Sequence, residues 1–271
     1  MKSPQTFGHC PPMKEIDSEK NMDKPIWFLA DPHLKDKNIL LLEKFSRWLD
    51  FALSENISHL YILGDLFHYW HALKPIPDNS LWKVVERLNL IAENHLPVTL
   101  LMGNRDFLLK RIEMYFPSLK IKKGAISIKL SEDNVYISHG DELCIKDLKY
   151  LIYKKFIRGN IVYWTYKYLL SEKQKKSLAE KLSKGSGEAV KKKSIDKLEI
   201  PEDHYLKVAC IPQKIIKSDI IIHGHIHIKK ELNLEDKGRK VKVFSLPKWD
   251  ETGEFLVYNP DKNMFKWKNF E

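Results

Sequence analysis

The sequence of 271 residues has only three cysteines, Cys10, Cys144 and Cys210, and none of them belongs to a CxxC pair. So few and so widely spaced cysteines exclude a disulfide scaffold and a zinc ribbon, and they are typical of the reducing cytosol. There is no uninterrupted apolar stretch of about 18 residues, which excludes an ordinary membrane-spanning helix. Residues 1–22 also lack the apolar run of a secretory signal, so we expect a cytoplasmic protein with a disordered N-terminal tail.

The chain has the composition of a globular protein, with 43% hydrophobic and 30% charged residues. At this length a polypeptide buries a substantial core without disulfides or structural metals. The sequence therefore predicts one large domain, or one domain that carries an insertion.

One segment carries almost all of the formal net charge of +10. Residues 146–200 contain fifteen basic and six acidic residues, interleaved with tyrosine, phenylalanine and tryptophan. This pattern indicates either an anionic membrane surface, where aromatic rings lie at headgroup depth, or single-stranded nucleic acid, whose bases stack on such rings. A pair of helices with a solvated lysine face would have the same composition.

In the first half of the chain, short apolar runs alternate with stretches of helical periodicity. The runs 26–30, 59–63 and 97–102 predict buried strands. Helical spacing over 39–53 and 81–91 predicts two helices between them, the second beginning at Asp78 or Asn79. The repeated order of strand, polar residues and helix predicts an α/β layered fold with a largely parallel sheet.

The second half of the chain has a different rhythm. Further strands are predicted at 135–138 and 219–222, and hairpins at 120–130, 229–246 and 254–268. The helical, lysine-rich stretch interrupts this β pattern and is interpreted as an insertion. The predicted organisation is a tail (1–22), a core in two parts (23–144 and 210–271) and a basic, aromatic helical cap (145–209).

Polar side chains follow five of the predicted strands. In chain order they are Asp31 with His33, Asp65, Asn104, His139, and His225 with His227. Ligands of α/β sheets collect at the carboxyl ends of strands, so we expect these side chains to converge. Carboxylate, amide and imidazole groups suit Mn, Fe or Zn. A pair of metal ions needs a bridging carboxylate, for which Asp65 is the remaining candidate.

The local spacing of these residues supports the same interpretation. In an extended segment, Asp-x-His and His-x-His place two side chains on one side. The glycines before Asp65, Asn104 and His225 allow close approach of the backbone to a ligand. Taken singly, each residue has another explanation: Asp31 could cap a helix, Asp65 could lie in a turn, and His139 could be a core histidine, while His223 is interpreted as structural.

Together, Asp31-x-His33, Gly64-Asp65, Gly103-Asn104, His139 and Gly224-His225-x-His227 resemble the calcineurin-like metallophosphoesterase superfamily. The resemblance implies a β-sandwich flanked by helices, with two divalent cations at the strand ends and a cation-activated water as nucleophile. It implies that one cation is held by Asp31, His33, Asp65 and His227. It implies that the other is held by Asn104, His139, His225 and the bridging Asp65.

Three longer motifs are similar to the bacterial UDP-2,3-diacylglucosamine pyrophosphohydrolases: residues 63–67 with Trp70, residues 103–109 and residues 139–144. This resemblance implies cleavage of a lipid-linked nucleotide to 2,3-diacylglucosamine 1-phosphate and UMP in lipid A biosynthesis, with Mn²⁺. It also implies a cytoplasmic enzyme bound peripherally to the inner membrane. Nucleic acid is not the expected partner, and the sequence does not indicate an oligomeric state.

Arg105 is a catalytic candidate because it occupies the position after the Gly-Asn pair. At this position most metallophosphoesterases have a histidine that can stabilise charge and protonate the leaving group. Arginine is a poor proton donor, but its fork binds phosphate with two hydrogen bonds. A departing phosphate monoester, with a second pKa of about 6, leaves as a stable anion without a proton. Arg105 therefore favours pyrophosphate cleavage, unless it only pairs with Asp106 or Asp141.

The resemblance also implies substrate contacts, which fall on Asn104, Arg105, His225, Asp147, Tyr150, Ser186 and Lys193. Val190 stands where the family usually has asparagine, and His68 where it often has an acidic residue. Ile228-Lys229 stands where the family usually has Arg-Pro after the final histidine pair. These departures leave a sister activity open, on another nucleotide or lipid diphosphate. A nuclease is the rival hypothesis; Arg105 and the apolar content of the insertion argue against it.

Overall fold

The computed structural model describes residues 23–70, 72–76, 78–106, 108–144, 168–171, 174–175, 177, 199–210 and 217–271. The expected disordered tail over 1–22 and most of the expected helical cap over 145–209 lie outside the described residues, and both stay predictions. Among the described residues, no helix combines the length and the apolar character needed to cross a bilayer.

Eleven strands and five helices have both of their ends among the described residues. The strands are β1 (Ile26–Leu29), β2 (His59–Ile62), β3 (Val98–Leu101), β4 (Lys120–Lys122), β5 (Ile126–Leu130), β6 (Asp133–Ser138), β7 (Ile220–His223), β8 (Lys230–Asp236), β9 (Arg239–Ser245), β10 (Glu254–Asn259) and β11 (Met264–Asn269). The helices are α1 (Ile39–Ser54), α2 (Ser80–Glu93), a 3₁₀ helix (Leu109–Tyr115), α3 (Glu202–Cys210) and the short α4 (Trp249–Thr252).

The strands form two sheets. The first has the order β11-β10-β1-β2-β3-β4, with β1 to β4 parallel and β10 antiparallel to β1. The second has the order β5-β6-β7-β9-β8, with a parallel centre of β6, β7 and β9 and antiparallel edges. The predicted α/β layered β-sandwich is confirmed.

Alternation of side chains along the strands builds the layers. Phe28 of β1 faces the second sheet and joins Ile137 and Phe244 in the core between the sheets, whereas its neighbour Trp27 packs with α1 on the opposite face. The helix α3 covers the outer face of the second sheet through Tyr205 and its neighbours. Because the two sheets pack face to face, the carboxyl ends of their central strands can contribute side chains to one site.

The two long helices begin and end close to where the sequence predicts. Asn38 caps α1 by accepting a hydrogen bond from the backbone N–H of Leu41, and Asn79 caps α2 in the same way through Trp82. The predicted hairpins at 229–246 and 254–268 are confirmed as β8–β9 and β10–β11.

The predicted hairpin over 120–130 is wrong. β4 pairs in parallel with β3 in the first sheet, and β5 pairs with β6 in the second. Lys123 and Gly124 form the crossing between the sheets, where Gly124 has a φ of 81°. A turn signal between two strands does not say whether those strands pair, and here the chain changes layer instead.

Candidate metal centre

The segments that follow β1 and β2 continue to form backbone hydrogen bonds with each other. These bonds fix the positions of the first group of polar side chains. The backbone N–H of Asp31 donates to Gly64 O (3.3 Å), and that of His33 donates to Asp65 O (3.0 Å). Leu34 and Phe67 form an isolated parallel bridge next to them. Asp31, His33 and Asp65 are therefore held at one edge of the sheet.

The second sheet supplies histidines from the ends of β6 and β7. His139 follows β6 directly, and its carbonyl accepts the N–H of Gly224, which follows β7 (2.9 Å). The backbone N–H of His225 donates to Asp31 Oδ2 at 2.9 Å. This last bond joins the strand ends of the two sheets, so the carboxylate of Asp31 lies at their junction.

One group of potential ligand atoms surrounds Asp31 Oδ1. His227 Nε2 lies 3.4 Å from this oxygen and His33 Nε2 lies 3.7 Å from it. The two imidazole nitrogens are 3.3 Å apart. Three ligand atoms from Asp31, His33 and His227 thus lie close enough together to hold a single cation.

A second group adjoins the first. Asp31, Asp65 and His139 also bring ligand atoms together, and Asp65 Oδ1 lies 3.8 Å from His139 Nε2. His139 Nε2 is in turn 3.0 Å from Asn104 Oδ1 and 3.2 Å from His225 Nδ1. The structure therefore brings all seven candidate ligands into one cluster. Asp31 is common to both groups, and the bridging role of Asp65 stays a prediction.

The expected extended geometry of the Asp-x-His and His-x-His segments is wrong. Asp31, His33, His225 and His227 have φ values of 55°, 46°, 69° and 59°, in the left-handed region, and Asp65 joins them at 48°. Non-glycine residues adopt this region uncommonly, and it costs about 1–2 kcal/mol for each. The side chains converge because the backbone turns at each candidate ligand, not because it is a strand with alternating faces.

The glycines of the motifs make room for the candidate ligands. A Cβ atom at Gly64, which has a φ of 90°, would lie 2.6 Å from His139 Nδ1. A Cβ atom at Gly103 would collide with the carboxylate of Asp65. Any other residue at these two positions would displace a candidate ligand.

Burial and charge define the protonation of the carboxylates. Burial raises the pKa of Asp31, but the imidazole of His227 and the other nearby histidines outweigh it and hold that pKa well below its usual range. Burial raises the pKa of Asp65, opposed by His139. Asp31 Oδ1 is buried and accepts no hydrogen bond of normal geometry from the described residues. An ionised, buried oxygen without such a donor fits a site for a cation.

The imidazoles differ in protonation. Burial lowers the pKa of His33 well below its usual value and that of His225 to about 3, so both rings are neutral and able to bind a metal. For His139, burial is outweighed by the charges of Asp65 and Asp31, which raise its pKa to about 9. Its Nδ1 lies 2.8 Å from Leu63 O, where it donates a hydrogen bond that leaves Nε2 facing the cluster.

Arg105 lies beside this cluster. Its Nε is 3.4 Å from Asp65 Oδ2, and its backbone N–H donates to Asp65 Oδ1 at 2.9 Å. The side chain is largely buried, at 12% exposure. The fork of the guanidinium is therefore placed at the candidate site by a potential ligand, rather than on an unrelated surface.

Two buried residues that sequence reasoning did not place in the site support it from behind. Asp106 accepts the backbone N–H groups of Leu66 (2.8 Å) and Gly103 (2.7 Å), next to Asp65 and Asn104. Burial and the charge of Asp65 raise the pKa of Asp106 to about 7. In the sequence, Asp106 is marked only by its place within the 103–109 motif and as a possible partner of Arg105.

The second supporting contact involves His223, at the end of β7. Its Nδ1 donates to Gly224 O (2.9 Å), so its Nε2 accepts the hydroxyl of Tyr205 in α3 (2.9 Å). The ring is fully buried and lies behind the segment of the two candidate ligands His225 and His227. These contacts agree with the structural role expected for His223.

The predicted substrate contacts divide into two sets. Asn104, Arg105 and His225 lie in the cluster, as described above. Asp147, Tyr150, Ser186 and Lys193 lie outside the described residues. His68 lies next to the site, with its ring centre 6.1 Å from that of His33. Burial lowers the pKa of His68 to about 4, so this departure from the family pattern places a neutral imidazole there.

A cluster of two carboxylates, one amide and four imidazoles at the strand ends of a β-sandwich defines a metal-dependent hydrolase of the phosphoester class. The calcineurin-like phosphoesterase family model matches residues 24–229. The chain belongs to the calcineurin-like phosphoesterase family. All seven candidate ligands lie within the matched range.

Curated relatives resemble the chain over most of its length. A protein of Wigglesworthia glossinidia brevipalpis named UDP-2,3-diacylglucosamine hydrolase is 31% identical over 253 residues, which cover 89% of this chain and 93% of the relative. Proteins with the same name from Photobacterium profundum and Pseudomonas paraeruginosa are 26% and 27% identical, covering 96% and 92% of those relatives. The similarity therefore extends well beyond the ligand motifs.

Proposed function

We propose that the protein hydrolyses the pyrophosphate bond of UDP-2,3-diacylglucosamine and releases 2,3-diacylglucosamine 1-phosphate and UMP in lipid A biosynthesis. The observation that carries the proposal is the buried cluster of Asp31, Asp65 and His139 with Arg105 beside it. The names of the relatives, which match nearly end to end, support the substrate.

Two divalent cations, Mn²⁺ in this proposal, would occupy the cluster. Asp31, His33, Asp65 and His227 would hold one, and Asp65, Asn104, His139 and His225 the other. When bound, the cations supply Lewis acidity and lower the pKa of water, as metal ions do in hydrolases. Hard oxygen ligands together with imidazole nitrogens suit Mn²⁺ in such a site.

The residues of the chain then orient the substrate. Arg105 binds the phosphate that departs, through its charged fork, and Asn104 and His225 border the same position. Because the departing phosphate is a stable anion, a proton donor is not needed where Arg105 lies. The burial of Asp31 and Asp65 excludes bulk water and strengthens their interaction with cations.

The basic segment 145–209 completes the proposal as a cap. Asp147, Tyr150, Ser186 and Lys193 would contact the polar part of the substrate, and the aromatic side chains of the segment would line a groove for the acyl chains. Its excess of lysine would hold the protein on an anionic membrane, at up to about 1 kcal/mol per residue near the surface. The protein is thus proposed to bind the cytoplasmic face of the inner membrane peripherally.

The proposal is tested by the conversion of UDP-2,3-diacylglucosamine to UMP. With Mn²⁺ we expect turnover by the native protein, none after EDTA treatment, and recovery when Mn²⁺ is restored. Asp65→Ala and Asn104→Ala should each abolish turnover. Asp219→Asn, at the opposite end of β7, is the matched control and should retain it.

The same assay distinguishes the rival activities. Hydrolysis of bis-p-nitrophenyl phosphate without hydrolysis of the lipid substrate would contradict the proposal and favour a different phosphodiesterase. Binding of an oligonucleotide that weakens steeply with salt would favour a nuclease. Turnover that persists in the Asp65→Ala variant would contradict the assignment of the site.

A further inference from the structure

Two exposed apolar side chains lie at the start of α1, directly after the loop that leads from β1. Ile39 is 66% exposed and Leu40 is 79% exposed, although both belong to the first turn of α1. The helix buries its other face against the sheet through Leu41, Phe45 and Trp48. Two large aliphatic side chains in water at consecutive positions gain nothing for the fold of the helix, so their exposure needs another explanation.

The same loop is cationic at its surface. Lys35 and Lys37 are exposed, and neither forms an ion pair among the residues that the structure describes. The carboxylate between them, Asp36, is directed inward, where it accepts hydrogen bonds from the hydroxyl of Ser80 (2.6 Å) and the amide of Asn79 (3.3 Å). The loop therefore presents two ammonium groups and two aliphatic side chains, while its acidic group is engaged elsewhere.

The position of this loop relates it to the candidate metal centre. Lys35 follows the candidate ligand His33 by two residues. Across the centre, Ile228 is 38% exposed and directly follows His227, whose Nε2 is 3.3 Å from His33 Nε2. Exposed aliphatic side chains thus follow ligand segments of both sheets along the chain, Ile228 directly after His227 and Ile39 six residues after His33.

We propose that residues 35–40, named here the rim loop, form a docking surface for an anionic lipid bilayer together with Ile228. Ile39 and Leu40 enter the boundary between headgroups and acyl chains, and Lys35 and Lys37 bind lipid phosphates. This inference rests on the proposed lipid-linked substrate. It adds to the cap a second membrane contact, which places the mouth of the metal centre against the bilayer where the diphosphate of such a substrate lies.

Vesicle binding by the full-length protein tests the rim loop. On vesicles of phosphatidylglycerol and phosphatidylethanolamine, Ile39→Ser/Leu40→Ser should lower the partition coefficient about tenfold, and Lys35→Gln/Lys37→Gln at least about fivefold. The matched control is Leu90→Ser/Met114→Ser, which removes two apolar side chains of similar exposure, 56% and 79%, from α2 and the 3₁₀ helix. It should change partition less than about twofold. The proposal would be overturned if the control variant lost as much vesicle partition as the apolar variant. It would also be overturned if either the apolar variant or the lysine variant partitioned as the native protein does.

A second measurement locates the loop directly. In a Cys10→Ser/Cys210→Ser background, a bimane label on Leu40→Cys should shift to shorter wavelength when anionic vesicles are added, and lipid-borne quenchers should reach it. The same label on Leu90→Cys should stay in water. A label at position 40 that stays in water while the protein is bound to vesicles would rule the docking surface out.

Activity separates this inference from the proposed function. With substrate in vesicles, Ile39→Ser/Leu40→Ser should hydrolyse UDP-2,3-diacylglucosamine several-fold more slowly, and with substrate in detergent micelles at the native rate. If the native protein does not hydrolyse the substrate in either form, the proposed function fails. If both proteins hydrolyse it equally in vesicles, only the rim loop fails.

Discussion

At the residue scale, the candidate metal centre is built from backbone conformations that most side chains avoid. Asp31, His33, Asp65, His225 and His227 all have positive φ values. Together they store several kcal/mol of strain, at about 1–3 kcal/mol for each residue held in such a region. Strain of this kind persists when the surrounding structure fixes it, and here the surrounding structure is the hydrogen-bonded junction of two sheets.

Arg105 provides the first prediction at this scale. We expect Arg105→Ala to lower kcat with UDP-2,3-diacylglucosamine about 100-fold, because removal of one charged donor to developing negative charge costs about 3 kcal/mol. Arg105→Lys should recover part of the loss, since lysine retains the charge but not the fork. Metal content, measured by elemental analysis, should remain unchanged in both. A loss of metal in Arg105→Ala would instead assign Arg105 the role of holding Asp65.

His59 provides a prediction outside the site. The ring is buried, stacks on Tyr61 with ring centres 4.0 Å apart, and lies 2.9 Å from Thr99 Oγ1. Burial, with the charge of Lys120, lowers its pKa from 6.5 to about 3. The unfolded chain therefore binds this proton below about pH 6.5 and the folded chain does not, so the free energy of unfolding decreases as the pH falls from 6.5 towards 3.

The size of this effect is measurable. His59 should contribute a loss of about 2 kcal/mol between pH 8 and pH 5. Urea unfolding of His59→Gln, which can still hydrogen-bond Thr99, should show a correspondingly smaller loss over the same interval. His95→Gln, at an exposed position, is the control and should follow the native protein. Identical pH dependence in all three would show that His59 does not titrate on unfolding.

At the element scale, the ends of β2 and β3 are joined by the carboxylate of Asp106. Its two oxygens accept backbone N–H groups from Leu66 and Gly103, one from each strand-end segment. Since Asp65 and Asn104 are direct neighbours of these residues, Asp106 sets the distance between two candidate ligands. Asp106 is therefore a positioning residue. It belongs to neither of the two groups of ligand atoms.

We therefore expect Asp106→Asn to weaken the binding of Mn²⁺ at least about tenfold. The amide has an N–H₂ donor in place of one carboxylate oxygen, so one buried backbone N–H loses its acceptor, which costs about 1–3 kcal/mol. Calorimetric titration of the metal-free protein measures this affinity. Asp219→Asn changes a similar carboxylate, which accepts a backbone N–H from Asn134 at 2.9 Å, at the other end of the second sheet. It should lower thermal stability and leave metal affinity unchanged. Native affinity in Asp106→Asn would remove its positioning role.

The elements also show what sequence can and cannot predict. Periodicity located α1 and α2, and the predicted start at Asp78 or Asn79 located the cap of α2, because a buried stripe and an Asn cap are local properties. The hairpin at 120–130 failed because pairing depends on the layer in which each strand lies, which Lys123 and Gly124 do not encode. The convergence of Asp31, Asp65 and His139 follows from strand ends, but their left-handed backbone and the bonds of Asp106 arise only from tertiary contacts.

At the scale of the whole molecule, the candidate centre connects the two sheets of the sandwich. The first sheet contributes Asp31, His33, Asp65 and Asn104, and the second contributes His139, His225 and His227. The backbone N–H of His225 donates a hydrogen bond to Asp31 Oδ2 directly across this junction. Cations bound to ligands of both sheets would add interactions that only the folded chain can make, since the unfolded chain separates these residues.

Metal binding should therefore stabilise the whole sandwich. At 100 times the dissociation constant, Mn²⁺ stabilises the folded state by about 2.7 kcal/mol per site. For a chain of this size that corresponds to a rise in Tm of about 5–10 °C, and EDTA should reverse it. His33→Ala and His139→Ala, one ligand from each sheet and each from a different proposed cation site, should each lose about half of the rise, whereas Asp219→Asn should keep it. Hydrogen exchange should show that Mn²⁺ slows the amides of β1 and β7 together. Protection confined to one sheet would mean that the cations bind one layer of the sandwich and do not connect the two.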